Sequence, residues 1–301
     1  MENTSSTLRL SLSFQEPPIR RFIFMKHSLT LLLSGALLLT SVPAATAQQA
    51  AASPYHTRFA VDAPITLGLG AMSGLGLYLV QQKNGLSDAE LARLSKNDVP
   101  KFDRFAAGNY SKSAQTAGDF LCYGSLVVAP GLLALNEDVR GHYGQVLGLY
   151  LQTMLATDAI FTTTVGSVTR YRPFLYGTEG GGSRNSKIST NSFFAGHTAH
   201  TATATFFAAK VFHDFNPGSR AEPFVWGAAA LMPAAVAYTR IEAGKHFLSD
   251  NIVGYVVGAT AGIVVPQLHK TAGRNGYSFA PIQGLNANGY SYGGLLVTKQ
   301  L

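Results

Sequence analysis

Three short stretches of this sequence set imidazole, carboxylate and guanidinium groups beside turns and helix ends. One is Thr239-Arg240, then five residues, His246, three residues and Asp250. His246 and Asp250 are four apart, so on a helix they share a face, one turn from each other. A carboxylate so placed accepts the proton on one ring nitrogen, fixes the tautomer and leaves the other nitrogen free to attack an electrophile. Arg240 falls at the expected end of the preceding helix, where a planar guanidinium can grip two oxygens of a phosphate. The second stretch is Phe194-Ala195-Gly196-His197-Thr198. Gly196 allows backbone to come close to an anion, the helix start that follows aims N–H groups at it, and His197 can give a proton to a leaving oxygen. The third, Arg170-Tyr171-Arg172-Pro173, puts two arginines directly after an apolar helix. Taken singly, each has a plainer reading: a structural His–Asp pair, an ordinary helix start, and a positive flank favoured by the dipole at a helix C-terminus.

The elements that must position these groups are long apolar segments. Helices are expected near 62–81, 116–135, 142–168, 197–213, 224–240 and 247–266, each too long and too poor in alternation to be a strand. Leu86–Leu94 reads as a short surface helix with Ser87 or Asp88 near its N-cap, and Gly177–Asn191 as a loop. Tyr277–Ile282 and Tyr290–Val297 are Gly- and Tyr-rich and partly alternating, which suggests a terminal hairpin. The expected fold class is therefore all-α, a bundle of about six core helices over 60–270 with a short C-terminal β-hairpin in 275–301.

Residues 1–24 read as an upstream extension. Residues 25–47 have the layout of a signal peptide: Lys26 and His27, an apolar run from Leu29 to Val42, then Ala45-Thr46-Ala47. An uncut membrane anchor is the other reading. The expected location is the cell envelope, membrane-associated or periplasmic. Charged residues make up 13% of the chain, against about 25% in typical globular proteins, which fits a deeply buried bundle or a membrane protein. Several helices approach the length needed to span a bilayer. The excess of 23 basic over 16 acidic residues suits an anionic substrate or a membrane surface. Cys122 is the only cysteine, so no intrachain disulfide can form.

In order and spacing together, the three stretches resemble the tripartite signature of the type 2 phosphatidic acid phosphatase superfamily, which includes bacterial acid phosphatases and vanadium haloperoxidases. That signature runs Lys, six residues, Arg-Pro; then Pro-Ser-Gly-His; then Ser-Arg, five residues, His, three residues, Asp. Here Arg172-Pro173, Gly196-His197, and Thr239-Arg240 with His246 and Asp250 stand at the matching positions. Twenty residues separate Pro173 from Phe194, and 41 separate His197 from Thr239. The resemblance covers about residues 60–270.

It implies a phosphohydrolase acting on phosphomonoesters or lipid (pyro)phosphates through a phosphohistidine. The implied catalytic residues are His246 as nucleophile, Asp250 as its orienter and His197 as general acid. Arg172, Arg240, Gly196 and Arg170 would bind phosphate. No metal or cofactor is implied, and the partners are a phosphorylated lipid or small phosphoester and a membrane, not nucleic acid. Two departures stand out: the signature's Lys falls on Val165 and its second-motif Ser on Ala195. Arg170, Lys187 or Lys245 could restore the lost positive charge. Losing one preorganised donor commonly costs about 10²–10³ in rate. A non-catalytic anion-binding envelope protein and, less favoured, a vanadium haloperoxidase with His246 as vanadate ligand stay open beside the phosphatase.

Overall fold

The computed structural model describes residues 52–271 and the backbone of 277–285 and 291–299. The upstream extension and signal-peptide segment lie outside the described residues. Eight α-helices run through the described part: α1 (Phe59–Gln82), α2 (Asp88–Arg93), α3 (Lys112–Leu133), α4 (Glu137–Arg140), α5 (Tyr143–Ser167), α6 (Gly196–Phe215), α7 (Glu222–Glu242) and α8 (Leu248–Leu268). The six long ones coincide with the expected segments. Ser87 caps α2 through a reciprocal pair with Glu90, in which the Glu90 N–H donates to Ser87 Oγ and the Ser87 N–H to Glu90 Oε2 at 2.7 Å. The expected loop 177–191 is a run of short 3₁₀ turns, Gly181–Asn185 and Lys187–Thr190.

At the C-terminus the backbones of Tyr277–Leu285 and Ser291–Lys299 run antiparallel, with Tyr277 opposite Lys299 and Leu285 opposite Ser291. The turn that would make these strands the expected hairpin, 286–290, lies outside the described residues.

α6 is the axis of the bundle and packs on α3, α5, α7 and α8. Its sequence suits that place because its interior-facing residues are mostly Ala and Thr, which let neighbours approach from all sides. Buried threonines need partners; Thr203 shares a 2.7 Å hydrogen bond with Thr157 on α5, and its hydroxyl lies 2.9 Å from the Ala199 carbonyl. Against α6 lies a stripe of small residues on α8. A Cβ at Gly254 would come within 2.5 Å of the Ala195 carbonyl, one at Gly258 would overlap the Ala199 carbonyl, and one at Gly262 would lie 2.8 Å from Thr203 O. These glycines bring the two backbones together. In the same way Gly76 and Gly166 bring α1 onto α5.

Because the long helices run up and down, their ends fall into two groups. The ends of α5 and α7 and the starts of α6 and α8 carry the residues singled out in the sequence, and the start of α3 and the end of α1 lie at the same end. Loop residues 84–111 supply further groups at that end. Phe174 and Leu175 pack with Leu86, and Phe247 and Ile241 pack with Val99, Ala106 and Ala107 beneath it. At the other end Asp214 binds Lys210, Lys270 and Tyr55, whose hydroxyl donates at 2.8 Å. Among the described helices α1, α3, α7 and α8 are each long and apolar enough to cross a membrane. They leave large apolar side chains such as Phe59, Leu67, Phe120, Val127, Phe224 and Leu231 exposed.

The close α6–α8 approach makes a direct prediction. Gly258→Val should destabilise the fold by about 3 kcal/mol or more, the upper range of overpacking. Gly148→Ala, at a helical site with open space around it, should be neutral or stabilising by up to about 1 kcal/mol. Thermal unfolding of the two variants checks this, and similar shifts would contradict the packing.

Candidate active site

α7 ends at Glu242 and α8 begins at Leu248, so His246 sits in the connecting turn, not on a helix. Gly244 makes this turn possible: its φ is +65°, and its carbonyl accepts from the Phe174 N–H at 3.1 Å. The His246 ring is buried, and its Nδ1 lies 2.6 Å from the carbonyl oxygen of Ser192. A carbonyl can only accept, so Nδ1 carries the proton and Nε2 keeps its lone pair. Burial first, then Arg172, hold His246 well below the usual imidazole range, with His197 and Arg240 adding to the effect. At neutral pH the ring is uncharged, with one nitrogen fixed and the other free.

This corrects the role expected for Asp250. Its carboxylate does not take the ring proton of His246. It lies in the first turn of α8, fully buried, where Oδ2 accepts from Ser192 Oγ at 2.6 Å and from the Phe247 N–H at 2.8 Å. Oδ1 pairs with Arg170. Asp250 therefore fixes Ser192, and the Ser192 carbonyl fixes His246. The local spacing misled because the i,i+4 argument assumed that both residues were helical.

Arg170 is corrected too. Its guanidinium is divided among Asp250, Ser249 Oγ at 2.9 Å and Asp103 Oδ2 at 2.7 Å, and lies 4.8 Å from the Phe247 ring centre. Asp103, fully buried, also accepts from the Ser249 N–H and hydroxyl at 3.0 and 2.6 Å. With both terminal nitrogens engaged by these groups, Arg170 ties the loop to the start of α8. Sequence reasoning missed Asp103 and Ser192, since each meets its partners across long sequence separations.

Arg172 and Arg240 lie close enough for their charges to act on each other. Arg172 spends one bond on the Asn191 carbonyl at 3.3 Å, and Arg240 donates to the Gln115 carbonyl at 2.7 Å and pairs with Asp119 at 2.9 Å. The Nε of each is buried without a hydrogen-bond partner, a costly state for an N–H donor. Burial first, then the neighbouring Arg240, pull Arg172 down to about 10, so it stays charged at neutral pH and the two guanidiniums repel each other.

Gly196 opens α6, with no side chain capping the preceding Ala195, so the positive end of the helix dipole faces this cluster. The glycine is also required by packing, since a Cβ there would press into the Phe161 ring at 2.5 Å. His197 follows. Burial first and then Arg240 push it down to about 4, with Asp119 acting in the opposite direction.

Of the three cations that could replace the missing lysine, Lys187 is held by Gln81 at 2.7 Å, away from the cluster. Arg170 is occupied as described. Lys245 lies over the Phe174 ring at 5.2 Å, and burial, then Arg172 and Arg240, lower its proton affinity; it joins the cationic cluster. Val165 is buried, and its carbonyl accepts from Lys83, which also holds the Val168 and Thr190 carbonyls and Asn191 Oδ1. Lys83 closes the end of α5. Among the described residues, no group of three or more His, Cys, Asp or Glu could hold a metal ion.

Arg170 and Arg172 can be separated by experiment. Arg170→Ala leaves Asp103 and Asp250 buried without their cation and should cost about 3–5 kcal/mol of stability. Arg172→Ala should leave the unfolding temperature nearly unchanged and remove the protection that added sulfate gives the wild type. The reverse pattern would contradict the assignment.

Residues 147–274 match the family model of the PAP2 superfamily. A solved structure, described as the first transmembrane PAP2 type phosphatidylglycerolphosphate phosphatase from Bacillus subtilis, aligns with 68% of this chain and 93% of its own length at 13% identity, with a TM-score of 0.38. No curated protein matches the sequence.

Proposed function

For a chain whose residues 147–274 match the family model of the PAP2 superfamily, we propose a phosphohydrolase in which His246 forms a phosphohistidine. The observation that carries this reading is the uncharged His246, its Nδ1 held by the Ser192 carbonyl at 2.6 Å, set electrostatically against two guanidiniums whose buried Nε groups have no partner. Neutral nucleophile and surplus positive charge are what a phosphate ester requires.

Arg172, Arg240, Lys245 and the start of α6 hold the phosphoryl oxygens. The lone pair on His246 Nε2 forms an N–P bond as the P–O ester bond breaks. The departing electron pair stays on oxygen, which takes a proton from His197. Water then gives a proton back to His197 and attacks phosphorus, the N–P bond breaks toward nitrogen, and inorganic phosphate leaves. His197 is uncharged in the free site at neutral pH, so the anionic substrate must itself raise its proton affinity. Asp250 and Arg170 act behind the reacting groups as positioning residues.

The substrate we favour is a lipid phosphate or pyrophosphate, handled by an envelope protein exported through residues 25–47. Four helices apolar enough to cross a membrane support membrane association. His246→Ala should lower phosphate release from both a nitrophenyl phosphate and phosphatidate by at least about 10³-fold, the scale for loss of a nucleophile that acts as part of a unit. Unchanged turnover sinks the reading.

Anion binding should also be linked to protons. His197 titrates near pH 4 in the free site, and a bound anion raises that value, so the complex binds more protons than the free protein. Sulfate, which does not titrate in this range, should bind more tightly as pH falls from 8 toward 5. A pH-independent dissociation constant would contradict it.

A further inference from the structure

α3 precedes the segment 147–274 that matches the superfamily, yet it delivers a carboxylate to the site. Asp119 Oδ1 lies 3.0 Å from His197 Nε2 and 2.9 Å from Arg240 Nη1. Neighbours on one face of α3 fix this placement. The Gln115 carbonyl, one turn earlier, accepts from Arg240 at 2.7 Å. Gly118 lets the Arg240 side chain lie against the helix, where a Cβ would stand 2.8 Å from its Nε. Tyr123, one turn later, sets its ring edge-on to His197 at 5.7 Å between centres, and the Cys122 thiol points at the His197 carbonyl at 3.6 Å. His197 Nε2 itself is buried and makes no hydrogen bond. Asp119 thus flanks this nitrogen without capturing its N–H direction.

The charges that face His197 come from every side. Arg240 on α7, Arg172 after α5 and His200 one turn along α6 all disfavour a cationic ring; Asp119 favours it. His246 lies close enough to act on the same charge balance. His200 has its own carboxylate, Asp158, at 3.2 Å.

We propose that Asp119 is the positioning residue of the general acid, the counter-charge that keeps a proton on His197 Nε2 between two arginines until the leaving oxygen takes it. The inference rests on the phosphatase reading, in which His197 is that acid. As the P–O bond breaks and its electron pair moves to oxygen, the proton passes from Nε2 to that oxygen, and Asp119 stays ionised throughout. In the second half, water's proton returns to Nε2 beside the same carboxylate.

A residue that supports proton donation matters most when the leaving group needs a proton. The test compares Asp119→Asn with wild type, in the full chain, on an alkyl phosphate and on nitrophenyl phosphate, whose leaving group departs unprotonated. The ratio of nitrophenyl to alkyl turnover should rise by about tenfold or more, within the range that general acid catalysis contributes. The basic limb of the alkyl phosphate pH profile should move to lower pH, since His197 loses its proton more readily. Asp119→Glu, which keeps the charge, should recover part of both effects, and Asp119→Ser is read in the same way if the Asn variant does not fold.

Equal losses on the two substrates with an unmoved basic limb would make Asp119 merely structural and overturn the proposal. A gain on both substrates would make it a block on the phosphate site and also overturn it. His246→Ala, measured alongside, separates the two levels: if it retains turnover, the phosphatase reading itself fails. If it is inactive while the Asp119 ratio is unchanged, only the role of Asp119 fails.

Discussion

A buried carboxylate is tolerated only when its acceptors are filled and its charge is matched, and the site end of this bundle is organised around one such group. Asp250 is fully buried, and it is held by Ser192 Oγ, the Phe247 N–H and Arg170. Each partner belongs to a different piece of chain: the loop before α6, the turn before α8, and the segment after α5. Satisfying one carboxylate therefore sets three segments at once. Through Ser192 it also sets His246, because the residue whose hydroxyl binds Asp250 offers its carbonyl to the His246 ring. Arg170 extends the same lock to Asp103 and so to the 84–111 loop. Breaking one member of such a network strands the others in a place where water cannot replace them.

Next to this neutralised network lies one that is not neutralised. Arg172 and Arg240 act on Lys245 and on both histidines, and Asp119 reaches into the cluster at Arg240 and His197. The two networks differ in kind: one locks segments in place, while the other leaves positive charge unmatched. The division also explains why the loss of the usual Lys and Ser at Val165 and Ala195 need not empty the site. Lys245 enters the cluster from the turn itself, while Lys83 serves the end of α5 by binding the carbonyls there. The small-residue seam between α6 and α8 sets how closely His197 and His246 approach, since one lies at the start of α6 and the other just before α8.

Much of this was legible in the sequence, for identifiable reasons. Long apolar runs with few charges mark helices whatever their neighbours, so α1, α3 and α5 to α8 fall where periodicity puts them. Arg172, His197, Arg240 and His246 stand at helix ends, and an up-and-down bundle gathers alternate ends. The roles of Asp250 and Arg170 were not legible. His246 belongs to a non-helical turn shaped by Gly244, so the four-residue spacing to Asp250 does not put their side chains in contact. Arg170 and Arg172 look equivalent in sequence, and only distant partners, Asp103, Ser249 and Asp250, distinguish them. Asp119 carried no local signal at all, because its partners His197 and Arg240 come from two other helices.

The central claim is that His246 Nε2 becomes bonded to phosphorus during turnover. Rapid quenching of the full-length protein with a phosphatidate or aryl phosphate substrate, followed by mass spectrometry under conditions that preserve phosphohistidine, tests this most directly. The account predicts an acid-labile, base-stable phosphoryl group on His246 that disappears as substrate is exhausted. A phosphoryl group trapped on a different residue, or turnover with none trapped on His246 at any quench time, would contradict it.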